Sequence, residues 1–329
     1  MIYVPKNAEG LRLDKWLRTQ FPQVPYTTWA RLCRKGNIRL DGKRVTGSER
    51  LEPGQSIRIP PMDVLKKSMV SVETLKVQPL SAAMQKELES WIIYENNEML
   101  ALNKPAGLAV QGGTKTIKHV DGLLARWAMD KDFTPKLIHR LDRDTSGVLL
   151  IAKTDQAARE LGKLFKTHQI EKYYVAITVG VPNPLEGSIK AAISKGIKDN
   201  KERMVVTPKG LKSITHYQVL DKMGKKAAVV ALSPVSGRTH QLRVHLEHIQ
   251  TPILGDPKYG GADDQEDLVS SKTLHLHSCV TVVPWPGKKP LLLEADFPLH
   301  FQSTFKDFGF TSGSILKDLK HFIADQKDA

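Results

Sequence analysis

No stretch of this 329-residue chain approaches the ~18 consecutive apolar residues that a membrane-spanning helix needs. The opening MIYVPKNAEG lacks both the charged start and apolar run of a secretory signal and the bias of a transit peptide. A cytoplasmic protein with no membrane partner is therefore expected. Cysteine is nearly absent. Cys33 and Cys279 stand alone and far apart, which excludes a zinc ribbon and fits a reducing compartment. Acidic side chains are scarce relative to basic ones, 35 against 49, leaving a net charge of +14. A surface of that sign attracts polyanions and puts nucleic acid ahead of anionic membrane as the partner class. Several catalytic signatures are missing too. There is no Walker loop and no Gly-x-Ser-x-Gly elbow, and Gln111-Gly112-Gly113 lacks the strand-to-helix setting of a dinucleotide fingerprint. His245 with His248, and His275 with His277, meet no Asp, Glu or Cys at ligand spacing, so no metal is expected. No solenoid period is visible.

What is present is a globular composition, 40% apolar and 26% charged, long enough for about two domains of ~150 residues. Charge is concentrated at the start: residues 1–60 hold twelve Lys and Arg against five acids. Leu11, Leu13, Trp16 and Leu17 recur at helical spacing. A second helix runs through Trp29, Leu32 and Cys33, with Thr27 and Thr28 as candidate N-caps and Arg31, Arg34 and Lys35 on its opposite face. Gly36 ends it. A strand at Ile38–Leu40, an Asp41-Gly42 turn, a return at Arg44-Val45 and a strand at Gln55–Ile59 form a small ribbon. Arg31, Arg34, Lys35, Arg39, Lys43 and Arg44 are thus candidate RNA contacts; the alternative is a solvated basic face with no ligand.

Residues 61–90 read as a linker with one short helix near Ala82–Leu88. A second domain, over 91–300, is strand-rich, with strands expected at Met99–Asn103, Val148–Ala152, Tyr174–Val179, Ile214–Leu220, Ala227–Leu232, Leu274–Val282 and Leu291–Ala295. Helices are expected at Gly122–Met129, Asp155–His168 and His240–Ile249. Strands and helices neither alternate nor segregate, which predicts an α+β fold with a mainly antiparallel sheet flanked by helices and loops. The tail, 301–329, reads as a docking helix carrying Ile315, Leu316, Leu319, Phe322 and Ile323, followed by a frayed end.

Two polar clusters carry candidate chemistry. His139-Arg140-Leu141-Asp142-Arg143-Asp144-Thr145-Ser146-Gly147 leads straight into the apolar strand Val148–Ala152, the kind of loop on which a rigid sheet presents reactive groups. Asp142 and Asp144 lie beside Arg140 and Arg143, which favour the ionised carboxylate, a form suited to a nucleophile or base. An Asp before Thr-Ser-Gly is equally a turn residue. The second cluster is Ser236–His245. Its Arg238, His240, Gln241 and Arg243 surround a helix start suited to phosphate or carboxylate, or else form a basic helix face. Tyr173 and Tyr174 begin a strand and must point to opposite faces, so only one of them can meet a given site.

The segment HRLDRDTSGVLLIAKT, His139–Thr154, resembles the active-site motif of the RluA family of RNA pseudouridine synthases. Asn103–Gly113, Lys172–Ala176, Gly237–His245 and Gly255–Gly260 follow in the family's order. The wording is most similar to the RluC branch, which modifies large-subunit ribosomal RNA. The basic N-terminal segment resembles the small RNA-binding module named after ribosomal protein S4. The resemblance implies a catalytic aspartate at Asp142, an active-site tyrosine at Tyr174 and, at Arg243, the basic residue that pairs with the aspartate. It also implies a uridine-flipping arginine at Arg140, with Arg238, His240 and Gln241 around the substrate. No cofactor is demanded. Large-subunit ribosomal RNA becomes the expected partner, and a monomer the default. The Lys-rich stretch Ile193–Arg203 departs from the family and bears on substrate choice.

Overall fold

The protein was analysed as a computed structural model that describes residues 1–61, 65, 79–112, 118–198, 201–260, 272–285 and 289–328. Gly113, much of the expected linker, and Asp199-Asn200 of the Lys-rich stretch lie outside the described residues, as does the side chain of Thr27. The chain forms two compact units, Met1–Gln78 and Pro79–Ala329.

In the first unit, helices α1 (Leu13–Gln20) and α2 (Tyr26–Arg34) accompany four short strands: β1 (Ile2–Tyr3), β2 (Arg39–Leu40), β3 (Lys43–Arg44) and β4 (Ser56–Arg58). The strands form an antiparallel sheet in the order β1-β4-β2-β3. Leu13, Trp16, Leu17, Trp29, Leu32, Ile38 and Ile57 are buried together. Asp41 and Gly42 both take positive φ, 47° and 77°, the conformation of a two-residue hairpin turn whose twist matches its strands. The helix cap differs from expectation. Pro25 precedes α2 with no side-chain cap, and Thr28 lies inside the helix, buried, its hydroxyl without a partner. A preset proline φ starts this helix in place of a capping hydroxyl.

The second unit is built on β5 (Ile92–Glu95), β6 (Met99–Lys104), β7 (Lys136–Leu137), β8 (Ser146–Ala152), β9 (Glu171–Val179) and β10 (Glu186–Lys190). After the hairpin β11 (Ile193–Lys198) and β12 (Lys201–Val206) come β13 (Ile214–Met223), β14 (Ala227–Pro234), β15 (Leu276–Val283) and β16 (Leu291–Glu294). The main sheet runs β10-β13-β14-β9-β15-β8-β6-β5, with β16 beside β15 and β7 beside β8; β11 and β12 form a separate two-stranded sheet. Its pairs are antiparallel except β15 with β8, so the fold is α+β as expected. The helices are α3 (Ala82–Ser90), α4 (Val120–Trp127), α5 (Asp155–Lys166), α6 (Gln241–His248), α7 (Leu299–Phe308) and α8 (Ser312–Asp328).

Alternation along β9 feeds two cores. Tyr174 and Ala176 join Leu102, Leu149, Leu232 and Leu276 on one face, and Tyr173, Val175 and Ile177 meet Phe301, Phe305, Leu319 and Phe322 on the other. Two expectations are corrected here. The helix near 82–90 belongs to the second unit, with Leu88 fully buried in its core, rather than to a connector. The tail is two helices, not one with a frayed end: α7 and α8 cover the second face of β9, and Phe322 meets the Tyr173 ring edge-on at 6.2 Å. Burying Phe301, Phe305, Ile315, Leu319, Phe322 and Ile323 there outweighs the entropy that would otherwise fray a terminus.

Candidate active site

Register sets up one end of the sheet. Leu232, Tyr174, Ser278 and Gly147 stand side by side across β14, β9, β15 and β8. Gly147 has φ 107°, and a Cβ there would fall on the Ser278 backbone. Only glycine admits so close a parallel neighbour, and this closeness draws the 138–146 loop over Tyr174. Ser146 Oγ lies 2.9 Å from His277 Nδ1, which adds a buried hydrogen bond at the same junction.

The loop is pinned from below. Lys104, fully buried at the end of β6, donates from Nζ to the carbonyls of Pro105 (2.8 Å), Leu108 (2.9 Å) and Arg143 (3.0 Å). Arg143 Nε donates to Gly107 O at 3.0 Å. His139 Nε2 accepts the Leu150 N–H at 2.8 Å, and its ring stacks on Phe165 at 4.4 Å. Burial holds the His139 imidazole down to about 3, so it is neutral. Neither role follows from sequence spacing. The signal was a lysine set between an apolar strand and Pro-Ala-Gly.

Burial also depresses Lys104, to about 7 against 10.5 when exposed, with Asp144 and Asp142 acting in the opposite direction. Across roughly pH 7 to 10.5 the unfolded chain therefore binds more protons than the folded one, and stability contributed at this site rises with pH. Thermal melting of the wild type should gain on Lys104→Met over that interval. A difference between the two that stays flat with pH would contradict the assignment.

Asp142 closes a turn with its backbone and presents its side chain to a cavity. Its backbone carbonyl accepts the Thr145 N–H at 3.2 Å, closing a turn. Its side chain, 19% exposed, faces a cavity of about 350 Å³. Around it lie Arg140, Lys172, Tyr174, Arg238, His240 and Arg243. Tyr174 is hydrogen-bonded to Ser278 and its hydroxyl is pushed up to about 12, chiefly by burial, so the phenol stays protonated. Tyr173 faces away, its hydroxyl on Glu171 at 2.9 Å, as strand alternation requires.

Arg243 departs from expectation. Its guanidinium forks onto Asp256, Nε to Oδ2 at 2.7 Å and Nη2 to Oδ1 at 2.6 Å, with both side chains buried. Asp256 is already oriented by the backbone N–H groups of Lys258 and Tyr259. A carboxylate fixed in this way offers the guanidinium a planar, two-point match. Arg243 nevertheless remains within electrostatic reach of Asp142.

His240 lies within ion-pair distance of Asp142, with Nε2 3.8 Å from Oδ2. His240 caps α6 in a left-handed conformation, φ 55°, an uncommon state for a side chain with a Cβ. Its Nδ1 lies 2.8 Å from the Tyr259 hydroxyl, which accepts the Met204 N–H from β12 at 3.2 Å. In the tautomer where the Tyr259 hydroxyl donates to Nδ1, the imidazole proton is on Nε2 and faces Asp142. Burial lowers the His240 pKa and Asp142 counteracts it. Asp256 and Tyr259 lie in the GDPKYG segment, to which the sequence attached no role.

Gln241 is a second correction. Its Oε1 accepts from Ser236 Oγ and Arg238 N, and its Nε2 donates to Ile214 O and Thr215 Oγ1. With every polar atom of its side chain hydrogen-bonded to protein, it forms part of the cavity wall. The side chains of Arg140 and Arg238 are exposed at the cavity and make no ion pair among the described residues. No three-residue group suited to holding a metal occurs among the described residues. His275 and His277 are buried and hydrogen-bonded to Thr304, Ser146 and backbone carbonyls.

In the first unit, Arg34, Lys35, Lys43 and Arg44 are exposed, and Arg31 and Arg39 half-buried. Arg44 Nη2 donates to the Arg34 carbonyl at 3.2 Å, joining the β2–β3 hairpin to the end of α2. Arg39 lies directly between Arg44 and Arg58 across the ribbon. Like charges placed opposite one another are destabilising, and none of the six candidates pairs with a carboxylate among the described residues.

A family model described as RNA pseudouridylate synthase matches residues 98–248, and another described as S4 domain matches residues 11–57. The chain is 34% identical over 310 residues to the ribosomal large subunit pseudouridine synthase C of Vibrio cholerae serotype O1, spanning 92% of this chain and 94% of that one. Against the protein of the same name in Escherichia coli K12 it is 35% identical over 293 residues, 87% and 89% of the two chains. The solved structure of human RNA pseudouridylate synthase domain containing 4 matches with a TM-score of 0.58 at 30% identity, over 69% of this chain and 95% of that one.

Proposed function

This chain belongs to the RNA pseudouridylate synthase family, and we propose that it converts uridines of large-subunit ribosomal RNA to pseudouridine with Asp142 as the catalytic carboxylate. The observation that carries this reading is the Asp142 side chain facing the same 350 Å³ cavity as Tyr174, His240 and Arg243. The relatives' names supply the RNA class. Ribosomal RNA as substrate implies a cytoplasmic enzyme, and every group invoked comes from one copy of the chain, so a monomer suffices.

The reaction breaks the bond between C1′ and N1 of uridine, and its electron pair leaves with the base. The base turns, its C5 bonds to C1′, the C5 proton departs and N1 gains one. Nothing is oxidised or reduced, so no cofactor is called for. Asp142 can attack C1′ or stabilise positive charge there, as carboxylates flanking glycosidic bonds do, or it can take the neighbouring 2′ proton. The uridine must first leave its stack at a cost of a few kcal/mol. Arg140, exposed two residues from Asp142, is suited to fill the gap. The neutral Tyr174 ring offers a face to the detached uracil. Mapping pseudouridines in large-subunit ribosomal RNA from cells with and without this gene tests the reading. Loss of one or more defined sites is expected, and identical maps would refute it.

The basic ribbon of the first unit would hold RNA phosphates through Arg31, Arg34, Lys35, Arg39, Lys43 and Arg44. Replacing Arg39 and Arg44 together by Gln should weaken RNA binding and flatten the dependence of log K on log salt by about 1.5–2. An unchanged slope would remove these two from the interface.

A further inference from the structure

Lys172, the second residue of β9, stands two positions before Tyr174, so both side chains lie on the same face and both line the cavity. Its ammonium has no hydrogen-bond or ion-pair partner among the described residues. The contrast with the other cations here is informative. Lys104 is held by three carbonyls, Arg243 by Asp256, and Arg140 and Arg238 are exposed to water. Lys172 has neither full solvation nor a protein partner among the described residues, and its pKa is lowered by burial. A cation so placed costs stability that packing does not return.

The opposite wall leaves room above it. A Cβ on Gly237 would lie 3.6 Å from Lys172 Nζ, so the absence of a side chain there keeps the ammonium open to the cavity. Gly237 is not in the left-handed region, so backbone conformation does not demand glycine at this position.

We propose that Lys172 is a further catalytic residue, whose ammonium meets a carbonyl oxygen of the uracil and stabilises the negative charge that the base acquires as its bond to C1′ breaks. The inference rests on the proposed function. When the C1′–N1 electron pair leaves with the base, charge spreads over N1, O2 and O4. An ammonium attracts that anion more strongly than the neutral ring that enters, so the interaction is gained on the way to the transition state and lowers the barrier without tightening ground-state binding. A backbone phosphate is the other anion RNA offers. The position of Lys172 on the face of β9 that also carries Tyr174, whose ring is offered to the uracil, favours the base.

The test is single-turnover pseudouridine formation in a large-subunit ribosomal RNA transcript by the full chain carrying Lys172→Met or Lys172→Arg. Lys172→Met should react about 100-fold more slowly, with RNA Kd within about twofold of wild type and an unchanged salt slope. It should melt no lower than wild type, because an unpartnered buried charge has been removed. Lys172→Arg, which keeps the charge, should recover part of the rate. An unchanged rate for Lys172→Met overturns the inference. So does weaker binding with a salt slope reduced by about 1, which would identify a phosphate contact, and so does a slow variant that melts lower and gains nothing from arginine. If the wild-type chain forms no pseudouridine, the proposed function itself fails. If the wild type turns over and Lys172→Met matches it, only this inference does.

Discussion

Asp142→Asn should reduce pseudouridine formation by at least about 10⁴-fold, the scale seen when a group central to covalent or proton-transfer chemistry is removed. The substitution preserves size, and the turn hydrogen bond from Thr145 uses the backbone carbonyl of residue 142, so the loop should keep its form. RNA binding should stay within about twofold, because the phosphate-facing cations are untouched. An amide retains a polar oxygen but loses the negative charge, and all three routes open to Asp142 depend on that charge. Measuring conversion and Kd on the same transcript separates the two effects. Substantial turnover by the Asn variant would mean that another group carries the reaction.

Breaking the Arg243–Asp256 fork should destabilise the second unit by about 3–5 kcal/mol for either single substitution, since each leaves a buried charge or its hydrogen-bonding partner uncompensated. Asp256→Asn strands the Arg243 guanidinium, and Arg243→Met strands the carboxylate, although the amides of Lys258 and Tyr259 still solvate the latter. Arg243→Met should therefore be the milder change. The double variant should recover part of the loss, because both desolvated charges are then gone. Denaturant titration of the four chains measures the coupling. Additive losses would show that the fork contributes no mutual stabilisation. Activity should fall in every variant, because His240, Tyr259 and the Arg243 ring contact at 5.0 Å share this wall with Asp142.

Much of the architecture is legible in local pattern. Apolar runs place β6, β8, β9, β14 and β15 within a few residues, alternation assigns Tyr173 and Tyr174 to different faces, and Asp41-Gly42 forms the turn its chemistry suggests. Errors fall where a local signal competes with packing. Thr28 looks like a cap yet is buried in α2 behind Pro25, and the tail looks frayable yet covers β9 with two helices. At the site, residue types are readable but partnerships are not. Gln241 has the character of a substrate contact and is wholly engaged by Ser236, Ile214 and Thr215.

The amino-acid sequence alone carried the order of a basic RNA-binding unit and a catalytic unit, the family resemblance, and Asp142 and Tyr174 as candidates, because periodicity and motif wording are short-range properties of a chain. Tertiary structure decided that Arg243 grips Asp256, that Tyr259 orients His240, that Lys104 ties the Asp142 loop to β6, and that Lys172 is left without a partner among the described residues. Those relations join residues tens of positions apart through sheet register and burial. Only the packed state fixes which buried charge finds a partner and which is left open to a ligand.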